Sequence, residues 1–463
     1  MPSIKAKNVV MLLFSLVFYA WAGPIYVLLL VFMTFADWLL CVQMDRSGRS
    51  YGQRKALLIT ALVVDLGLLG VFKYLTFLLS NTQLVLGWPE QVPEIVLPIG
   101  ISFYTFQLVS YVVDVYRREV RAQDSFWKLL LYVSLFHQCI AGPIVRYQHV
   151  ADEIDWRHAR LSDIADGAGR FAVGLAKKAM LANPCGNLAD SFLGSSALAG
   201  AEGISFLSQR SALALWLGVI AYTLQIYLDF SAYSDMAIGM GRMVGFHYRE
   251  NFDFPYISKS VTEFWRRWHM SLSSFFRDYI YIPLGGSRCS KLCNFRNLAI
   301  VWLLTGLWHG ASWTFVLWGA YYLLFLAFEK FVLGKALDQI PSLIRRCYLL
   351  LVVTLGWLMF RLTDLDCLGS AFSGLFCLNG NPVTDLETTV LLKSNFIFML
   401  AAILACTPLV RNLYRRVCSA ISGLPVLQGV WTFLQCAVPI LLLLLSTAAL
   451  VGDQYNPFLY FRF

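Results

Sequence analysis

Two histidines inside tryptophan-rich segments are the residues best suited to chemistry in this sequence. His269 closes the segment WRRWH, and His309 lies within GLWHGASW. An ionisable side chain within or beside a membrane span costs free energy, so its presence there favours a functional role. A neutral imidazole in apolar surroundings can accept a proton from a hydroxyl group. The two segments are therefore candidates for acid–base chemistry.

The residues around His309 predict how it is held. Gly306 and Gly310 flank it and allow backbone to approach closely. If the segment is helical, Thr305, His309 and Ser312 lie near one face, because they are four and three residues apart. The alternative is a buried histidine whose polar atoms are satisfied by a carbonyl or hydroxyl group.

For His269, the local residues favour packing or hydrogen bonding over acid–base chemistry, while a donor role toward an acyl carbonyl stays open. We predict a helix over residues 262–277 that lies at the membrane interface or plugs a helix bundle. Its apolar stripe recurs every three or four residues. The members of that stripe are Phe264, Trp268, Leu272 and Phe275.

Charged residues near these segments suggest supporting roles. Asp229 and Asp235, in LDFSAYSD, could orient a histidine or cap a helix, and capping is the commoner use of Asp beside Ser. Four basic residues could hold the phosphates of coenzyme A or phosphopantetheine. The alternative for each is a basic surface that faces solvent or lipid headgroups. They are Lys259, Arg266, Arg267 and Arg277.

Composition restricts the class of protein. The chain has 463 residues, of which 58% are hydrophobic and 14% charged, whereas soluble domains carry about 25% charged residues. This predicts an integral membrane protein with many spans. The net charge of +9 indicates basic cytoplasmic loops rather than nucleic-acid binding. Cys289 and Cys293 are not followed by two further ligands at ordered spacing, so no metal site is expected.

Hydropathy predicts an all-α polytopic protein with about ten to twelve membrane helices, some of them re-entrant or buried in protein. We expect a single integral-membrane domain over residues 1–463. Basic loops place the N-terminus and the central block in the cytoplasm, and place loops 80–94, 183–209 and 362–389 and the C-terminal tail outside. The predicted spans are 8–20, 25–43, 56–79, 95–116, 129–145, 168–181, 212–230, 298–308, 313–331, 348–360, 396–409 and 427–451.

Several motifs together resemble the membrane-bound O-acyltransferase (MBOAT) family, and within it the bacterial branch that O-acetylates polysaccharides such as alginate and peptidoglycan. The resemblance covers nearly the whole chain, with core motifs within residues 97–330. The motifs are LPIGISFYTFQLVSYVVDVYR, AGPIVRY, DFSAYSDMAIGMGRMVGF, NFDFPYISKSVTEFWRRWHMSLSSFFRDYIYIPLGGS, GLWHGASWTFVLWG and YNPFLYFRF.

The resemblance implies a ring of helices around a thinned centre with a tunnel. It implies that His309 matches the catalytic histidine and His269 a second, more variable polar position, with Trp308 and Ser312 supporting. The donor is expected to be acetyl-CoA. The acetyl group is expected to reach an external SGNH-type (GDSL-like) partner that esterifies the sugar. The bacterial cytoplasmic membrane is the implied location.

Two departures from the family pattern and two rival functions accompany this interpretation. One apolar span that usually begins family members is missing here, which suggests a truncated or misplaced start, and His137 stands where the family commonly has proline. One rival is a transporter of acetyl groups or of a lipid-linked sugar, for which paired broken helices would be expected. The other is a scaffold for the external acetyltransferase.

Overall fold

All the regular secondary structure in the described part of the chain is helical. The computed structural model describes residues 3–89, 91–140, 142–195, 198–421 and 423–452, and these contain no β-strand. Ala141 of the AGPIVRY motif, the motif YNPFLYFRF and the end of the C-terminal tail therefore lie outside the described residues. The α-helices are α1 (Ile4–Ala22), α2 (Pro24–Asp45), α3 (Tyr51–Leu69), α4 (Leu75–Leu86), α5 (Ile101–Arg117), α6 (Phe126–Ser134), α7 (Tyr147–Asp155), α8 (Leu161–Ala176), α9 (Asn183–Leu193), α10 (Gly200–Ser208), α11 (Ala212–Met243), α12 (Val261–Arg267), α13 (Met270–Phe276), α14 (Lys291–His309), α15 (Trp313–Ala327), α16 (Ser342–Arg361), α17 (Leu365–Leu375), α18 (Leu386–Ala405), α19 (Leu409–Ile421) and α20 (Pro425–Gly452).

Short segments of other helix types extend or link these helices. Four are π-helical: Gly70–Tyr74, Lys177–Ala182, Arg277–Tyr281 and Phe328–Leu333. Two are 3₁₀ helices, Pro255–Ile257 and Gly334–Gln339. A π-helical turn lies between α3 and α4 and another between α8 and α9, so the backbone stays helical through each junction.

Within the described residues, eight helical stretches are long and apolar enough to cross a membrane, which confirms the all-α multi-pass class. Each overlaps a predicted span, although the bounds differ, most of all for 396–409 against Leu386–Ala405. At 1.5 Å per residue, about 20 residues cover the hydrocarbon core. The stretches are Ile4–Trp21, Pro24–Asp45, Tyr51–Leu86, Ala212–Met243, Trp313–Gln339, Ser342–Arg361, Leu386–Ala405 and Pro425–Gly452.

The other four predicted spans are shorter or more polar helices. α5 is buried along almost its whole length, as expected for a short helix enclosed by protein. The predicted span 129–145 is wrong, because α6 ends at Ser134 and Leu135 leaves helical geometry with ψ 115°. Pro143, which lacks a backbone N–H, lies farther along the same stretch. The stretches 168–181 and 298–308 fall within α8 with its π-helical extension and within α14.

The chain forms two compact units. The first contains the residues up to Ala168 together with Ala237–Glu250 and Ser274–Ile280. The second contains Gly169–Met236, Asn251–Ser273 and the chain from Tyr281 onward. The first has a core of its own, built on α2, α5 and α6. The core of the second includes the fully buried aromatic side chains of Trp318, Tyr322 and Trp357.

The predicted single helix over residues 262–277 is instead two short helices, α12 and α13. The chain breaks at Trp268, which is extended, and at His269, which has a φ of +43°. The predicted apolar stripe is nevertheless buried, since Phe264, Trp268, Leu272 and Phe275 are each at most 3% exposed. Tertiary contacts to His269, described below, account for the break.

Candidate active site

His309 is the last residue of α14, and the local chain explains why the helix ends there. Gly310 adopts an extended conformation, with φ −172° and ψ 155°, and α15 begins three residues later. Thr305 lies one turn before His309 on the same helix. Ser312 occupies the N-cap position of α15, and its Oγ lies 2.8 Å from Thr314 Oγ1. The prediction that these residues share one helical face therefore holds for Thr305 and is wrong for Ser312.

Glycines bring α14 and α15 close together and so fix the position of His309. A Cβ atom on Gly306 would collide with the carbonyl oxygen of Phe315, and one on Gly319 would collide with that of Trp302. A Cβ on Gly310 would collide with the Phe315 ring. Small residues that allow such approach are typical of helix pairs in membranes. The predicted close approach at Gly306 and Gly310 is confirmed.

Aromatic rings surround the His309 imidazole, which is 5% exposed. Its centroid lies 4.8 Å from that of Trp308, 5.1 Å from Trp318 and 5.0 Å from Phe360, each in an edge-to-face arrangement. These rings come from α14, α15 and α16. Such packing fixes the orientation of the imidazole and excludes bulk water from the faces that it covers.

His269 occupies the break between α12 and α13. A positive φ at a residue other than glycine costs about 1–3 kcal/mol and persists only where its surroundings impose it. The ring is 1% exposed and packs edge-on against Phe230, with centroids 4.7 Å apart. Burial lowers the pKa of His269 to about 3, so the imidazole is neutral at physiological pH.

Asn251 determines which nitrogen of His269 carries the proton. The backbone N–H of Ser271 donates to Asn251 Oδ1 at 3.2 Å, which identifies that oxygen as an acceptor. His269 Nδ1 also lies 3.2 Å from it, so Nδ1 carries the hydrogen and donates. Nε2 is then the basic nitrogen of the ring. The backbone carbonyl of Asn251 also accepts from the N–H of Met270 at 2.9 Å, immediately after the strained residue.

Trp308 brings the two histidines into one aromatic cluster. Its ring centroid lies 5.9 Å from that of His269 and 4.8 Å from that of His309. Trp308 itself is 4% exposed. The structure thus groups both predicted catalytic histidines with the predicted supporting tryptophan, all within the second unit.

Asp229 and Asp235 pair with cations. Asp229 Oδ1 lies 2.5 Å from Lys178 Nζ, and both side chains are at most 4% exposed. Asp235 pairs with Arg170 at 2.8 Å and with Lys177 at 2.5 Å. Both aspartates lie inside α11, so the helix-capping alternative is wrong. Their ion pairs join α11 to α8 and its π-helical extension.

The predicted donor-binding residues differ in availability. Arg267 is already paired, at 3.0 Å each, with Asp253 and Glu263. Arg266 is exposed, and Lys259 is partly exposed. Neither of these two forms an ion pair within the described part of the chain. Lys259 and Arg266 are therefore the cations of this group that are open to a ligand.

Arg277 belongs to the first unit and is also paired. Its Nε lies 2.7 Å from Asp278, which in turn lies 2.9 Å from Arg146. Burial alone would raise the pKa of Asp278, but the hydrogen bonds from Arg277 and Arg146 outweigh it and hold the pKa below its usual range. The carboxylate therefore remains charged and engages both cations.

His137 lies buried in the first unit, where its Nδ1 is 3.0 Å from the hydroxyl of Tyr248. Burial lowers the pKa of His137 to about 3, so this ring is also neutral. The described residues contain no group of three or more His, Cys, Asp or Glu side chains placed to hold a metal ion.

Sequence comparisons identify proteins that are similar to this chain. The model of the MBOAT, membrane-bound O-acyltransferase family matches residues 117–339. The probable alginate O-acetylase of Azotobacter vinelandii is 34% identical over 99% of this chain and 95% of its own length. That of Pseudomonas aeruginosa is 37% identical over 83% of this chain and 72% of its own. The peptidoglycan O-acetyltransferase of Helicobacter pylori is 31% identical over 81% and 75%.

The family match contains both histidines, Trp308 and the whole segment from Lys259 to Arg277. The relatives extend the similarity over most of the chain on either side. The helical, multi-pass architecture is the one expected from the family resemblance. The chain therefore belongs to the membrane-bound O-acyltransferase family and is an acyltransferase.

Proposed function

We propose that this acyltransferase moves an acetyl group from a cytoplasmic thioester, acetyl-CoA, across the membrane for O-acetylation of an exported or cell-wall polysaccharide. The names of the relatives support the acetyl group and the polysaccharide acceptor. The observation that carries the proposal is the cluster of His269, Trp308 and His309, because it places two buried imidazoles around one indole in a family of O-acyltransferases.

His309 acts in this proposal as general base and then as general acid. An acceptor hydroxyl attacks the thioester carbonyl and gives its proton to the imidazole. When the tetrahedral intermediate collapses, the C–S bond breaks and the imidazolium returns the proton to the departing thiolate. The aromatic rings around His309 exclude water that would otherwise hydrolyse the thioester.

His269 acts as the second catalytic residue. Because Asn251 holds the hydrogen on Nδ1, Nε2 is an acceptor, which suits it to orient an acceptor hydroxyl. The earlier expectation that His269 steadies a negative carbonyl oxygen requires a donor. This tautomer supplies none at Nε2, so we assign His269 to the hydroxyl instead.

Two cations are assigned to the donor. Lys259 and Arg266 bind phosphates of coenzyme A at the cytoplasmic mouth, because they are accessible and make no ion pair within the described chain. Arg267 and Arg277 are engaged with carboxylates and serve local structure. Asp229 and Asp235 support the site indirectly, by joining α11 to the α8 region through ion pairs.

The remaining parts of the proposal concern location and partners. The protein lies in the bacterial cytoplasmic membrane with the basic loops inside, the N-terminus of this chain inside and the C-terminus outside. An external SGNH-type (GDSL-like) acetyltransferase receives the acetyl group and esterifies the sugar. A tunnel through the membrane joins the donor and acceptor sides.

The test uses purified protein in liposomes with acetyl-CoA labelled in the acetyl group. We expect His309→Ala to reduce label transfer to acceptor, or thioester hydrolysis, by about 10²–10⁴-fold while the protein still inserts. His158→Ala, at an exposed histidine, is the matched control. Normal transfer by His309→Ala would remove the central assignment. Label uptake without any bond cleavage would instead identify a transporter. If the His309→Ala variant still supports acetylation and still co-purifies with the external partner, the protein is a scaffold.

A further inference from the structure

Two carboxyl groups are fully buried between neighbouring membrane spans of the first unit. Asp37 lies on α2 and Asp65 on α3, and both residues have 0% exposure. Both helices belong to stretches that are long and apolar enough to span a membrane. Asp and Glu side chains at such positions are rare and mark sites of proton or ion binding.

No cation accompanies this pair within the described part of the chain. None of the four carboxyl oxygens has a hydrogen-bond partner of normal geometry, although the two groups are close enough to interact with each other. The contrast with Asp229 is informative, because that equally buried carboxylate contacts Lys178 at 2.5 Å. Two negative charges without a counter-ion cannot persist side by side in a medium of low dielectric constant.

The helix that packs against both spans adds polar groups to the same place. On α5, Tyr104 lies close enough to Asp65 for their charges to interact, and the same is true of Tyr111 and Asp37. Gln107 falls between these tyrosines on the same face of the helix, since the spacing is three and four residues. Gln107 is 0% exposed, and neither its Oε1 nor its Nε2 has a hydrogen-bond partner among the described residues.

The other titratable groups near the pair carry no positive charge. Cys41, on α2, lies within electrostatic range of Asp37, Asp65 and Asp45. Together with the two tyrosines, these groups are neutral or acidic. An occupant of the site must therefore be positively charged and supplied from outside the protein.

We propose that Asp37 and Asp65 form an intramembrane proton-binding site, in which the two carboxyl groups share a proton and Gln107 provides a further hydrogen-bonding group. The chemistry is that of paired carboxyls elsewhere, where one group stays protonated because two like charges at short range cannot both form. This site is independent of the proposed acetyl transfer, which uses residues of the second unit.

The test exploits the reaction of a hydrophobic carbodiimide with protonated carboxyls. The full-length protein in liposomes is treated with dicyclohexylcarbodiimide, and modified residues are located by peptide mass spectrometry. The carboxyl proton adds to one carbodiimide nitrogen and the carboxyl oxygen to the central carbon. The acyl group then migrates to nitrogen and gives a stable N-acylurea, with no group lost. Asp229 and Asp235 are internal controls, because each carboxylate is in contact with a lysine or arginine side chain, unlike Asp37 and Asp65.

We expect modification at Asp37 or Asp65, none at the two controls, and a decline of about tenfold per pH unit once the pair loses its proton. The double variant Asp37→Asn/Asp65→Asn should show no modification in this part of the chain. Replacing choline chloride by sodium chloride should leave the modification unchanged. Protection by sodium would overturn the proposal in favour of a metal cation.

Infrared spectroscopy tests the same proton without requiring access by a reagent. A protonated carboxyl in the wild-type protein gives a C=O stretching band that shifts on exchange into deuterium oxide. That band should be missing from the double asparagine variant. If wild-type and double-variant spectra are identical in this region, the carboxyls hold no proton and the inference is wrong.

Discussion

Replacement of Asn251 by alanine should weaken catalysis indirectly. In the proposed mechanism Asn251 holds His269 and does not itself contact the substrate. The Asn251 Oδ1 atom accepts from His269 Nδ1 at 3.2 Å, from the Ser271 N–H at 3.2 Å and from Ser271 Oγ at 2.9 Å. Asn251→Ala removes all three interactions. It also releases the constraint that places the hydrogen on Nδ1 and leaves Nε2 basic.

The size of the effect follows from these contacts. Each of the three hydrogen bonds contributes about 0.5–1.5 kcal/mol, so the free energy of unfolding should fall by roughly 2–4 kcal/mol. The strained φ of +43° at His269 loses part of its support, and the ring can rotate or change tautomer. Misplacement of a reacting group by about 1 Å can cost about 10²-fold, which sets the expected loss in kcat.

A double-mutant cycle separates this role from a general loss of structure. His269→Asn is the suitable partner variant, because asparagine also tolerates a left-handed backbone. If Asn251 acts through His269, then Asn251→Ala should reduce kcat strongly in the wild-type background and little in the His269→Asn background. KM for acetyl-CoA should change little in either. Thermal unfolding of each variant measures its loss of stability. It is followed as the fraction of protein recovered by size-exclusion chromatography after heating.

Two results would refute the reasoning. Equal losses of kcat in both backgrounds would show that Asn251 does not work through His269. If Asn251→Ala has unchanged activity and reduced stability, its hydrogen bonds only stabilise the local structure between α12 and α13.

Three further outcomes follow from the same structure. Arg266→Ala should raise KM for acetyl-CoA about tenfold. Its control is Arg267→Ala, at a partly exposed arginine with two ion pairs, which should leave KM unchanged and lower stability by about 1 kcal/mol. Equal KM values for the two variants would exclude Arg266 from the donor site. Gly306→Ala should lower stability by about 1–3 kcal/mol by forcing α14 from α15, while Gly369→Ala, where a Cβ meets nothing within 4 Å, should not. The pKa of His269 falls from 6.5 to about 3 on folding, so the free energy of unfolding should decrease as the pH is lowered from 6.5 to 3, by up to about 1.4 kcal/mol per pH unit. In the His269→Asn variant the free energy of unfolding should decrease less over the same pH range.

Local sequence was sufficient to find the spans and the surroundings of His309. All eight stretches that are long and apolar enough to cross a membrane overlap spans predicted from hydropathy. His309 lies beside glycines and tryptophans that are its neighbours in sequence, and Gly306, Gly310 and Trp308 contribute to its packing in the structure. Where the positioning residues are close in sequence, the pattern contains the needed information.

Contacts between distant residues account for the expectations that failed. The spacing of Phe264, Trp268 and Leu272 fits a continuous helix, and only Asn251, 18 residues before His269, reveals why the helix breaks. Asp235 pairs with Arg170, 65 residues away, which no local pattern around LDFSAYSD indicates. Asn251 was missed for the same reason, since an isolated asparagine carries no signal of its tertiary hydrogen bonds.

In the proposed mechanism, acid–base chemistry in the second unit falls to imidazoles, because the carboxylates of Asp229, Asp235 and Glu329 are already engaged by other groups. Asp229 and Asp235 are held by cations, and Glu329 accepts from the backbone N–H groups of Val261 and Thr262. To act as a base, any of them would first have to give up these partners, at a cost of several kcal/mol in a low-dielectric interior. A neutral imidazole needs no counter-ion in its resting state and acquires charge only when it takes a proton. This difference in burial cost explains why histidine, rather than a carboxylate, is the residue enclosed by the aromatic rings of α14, α15 and α16.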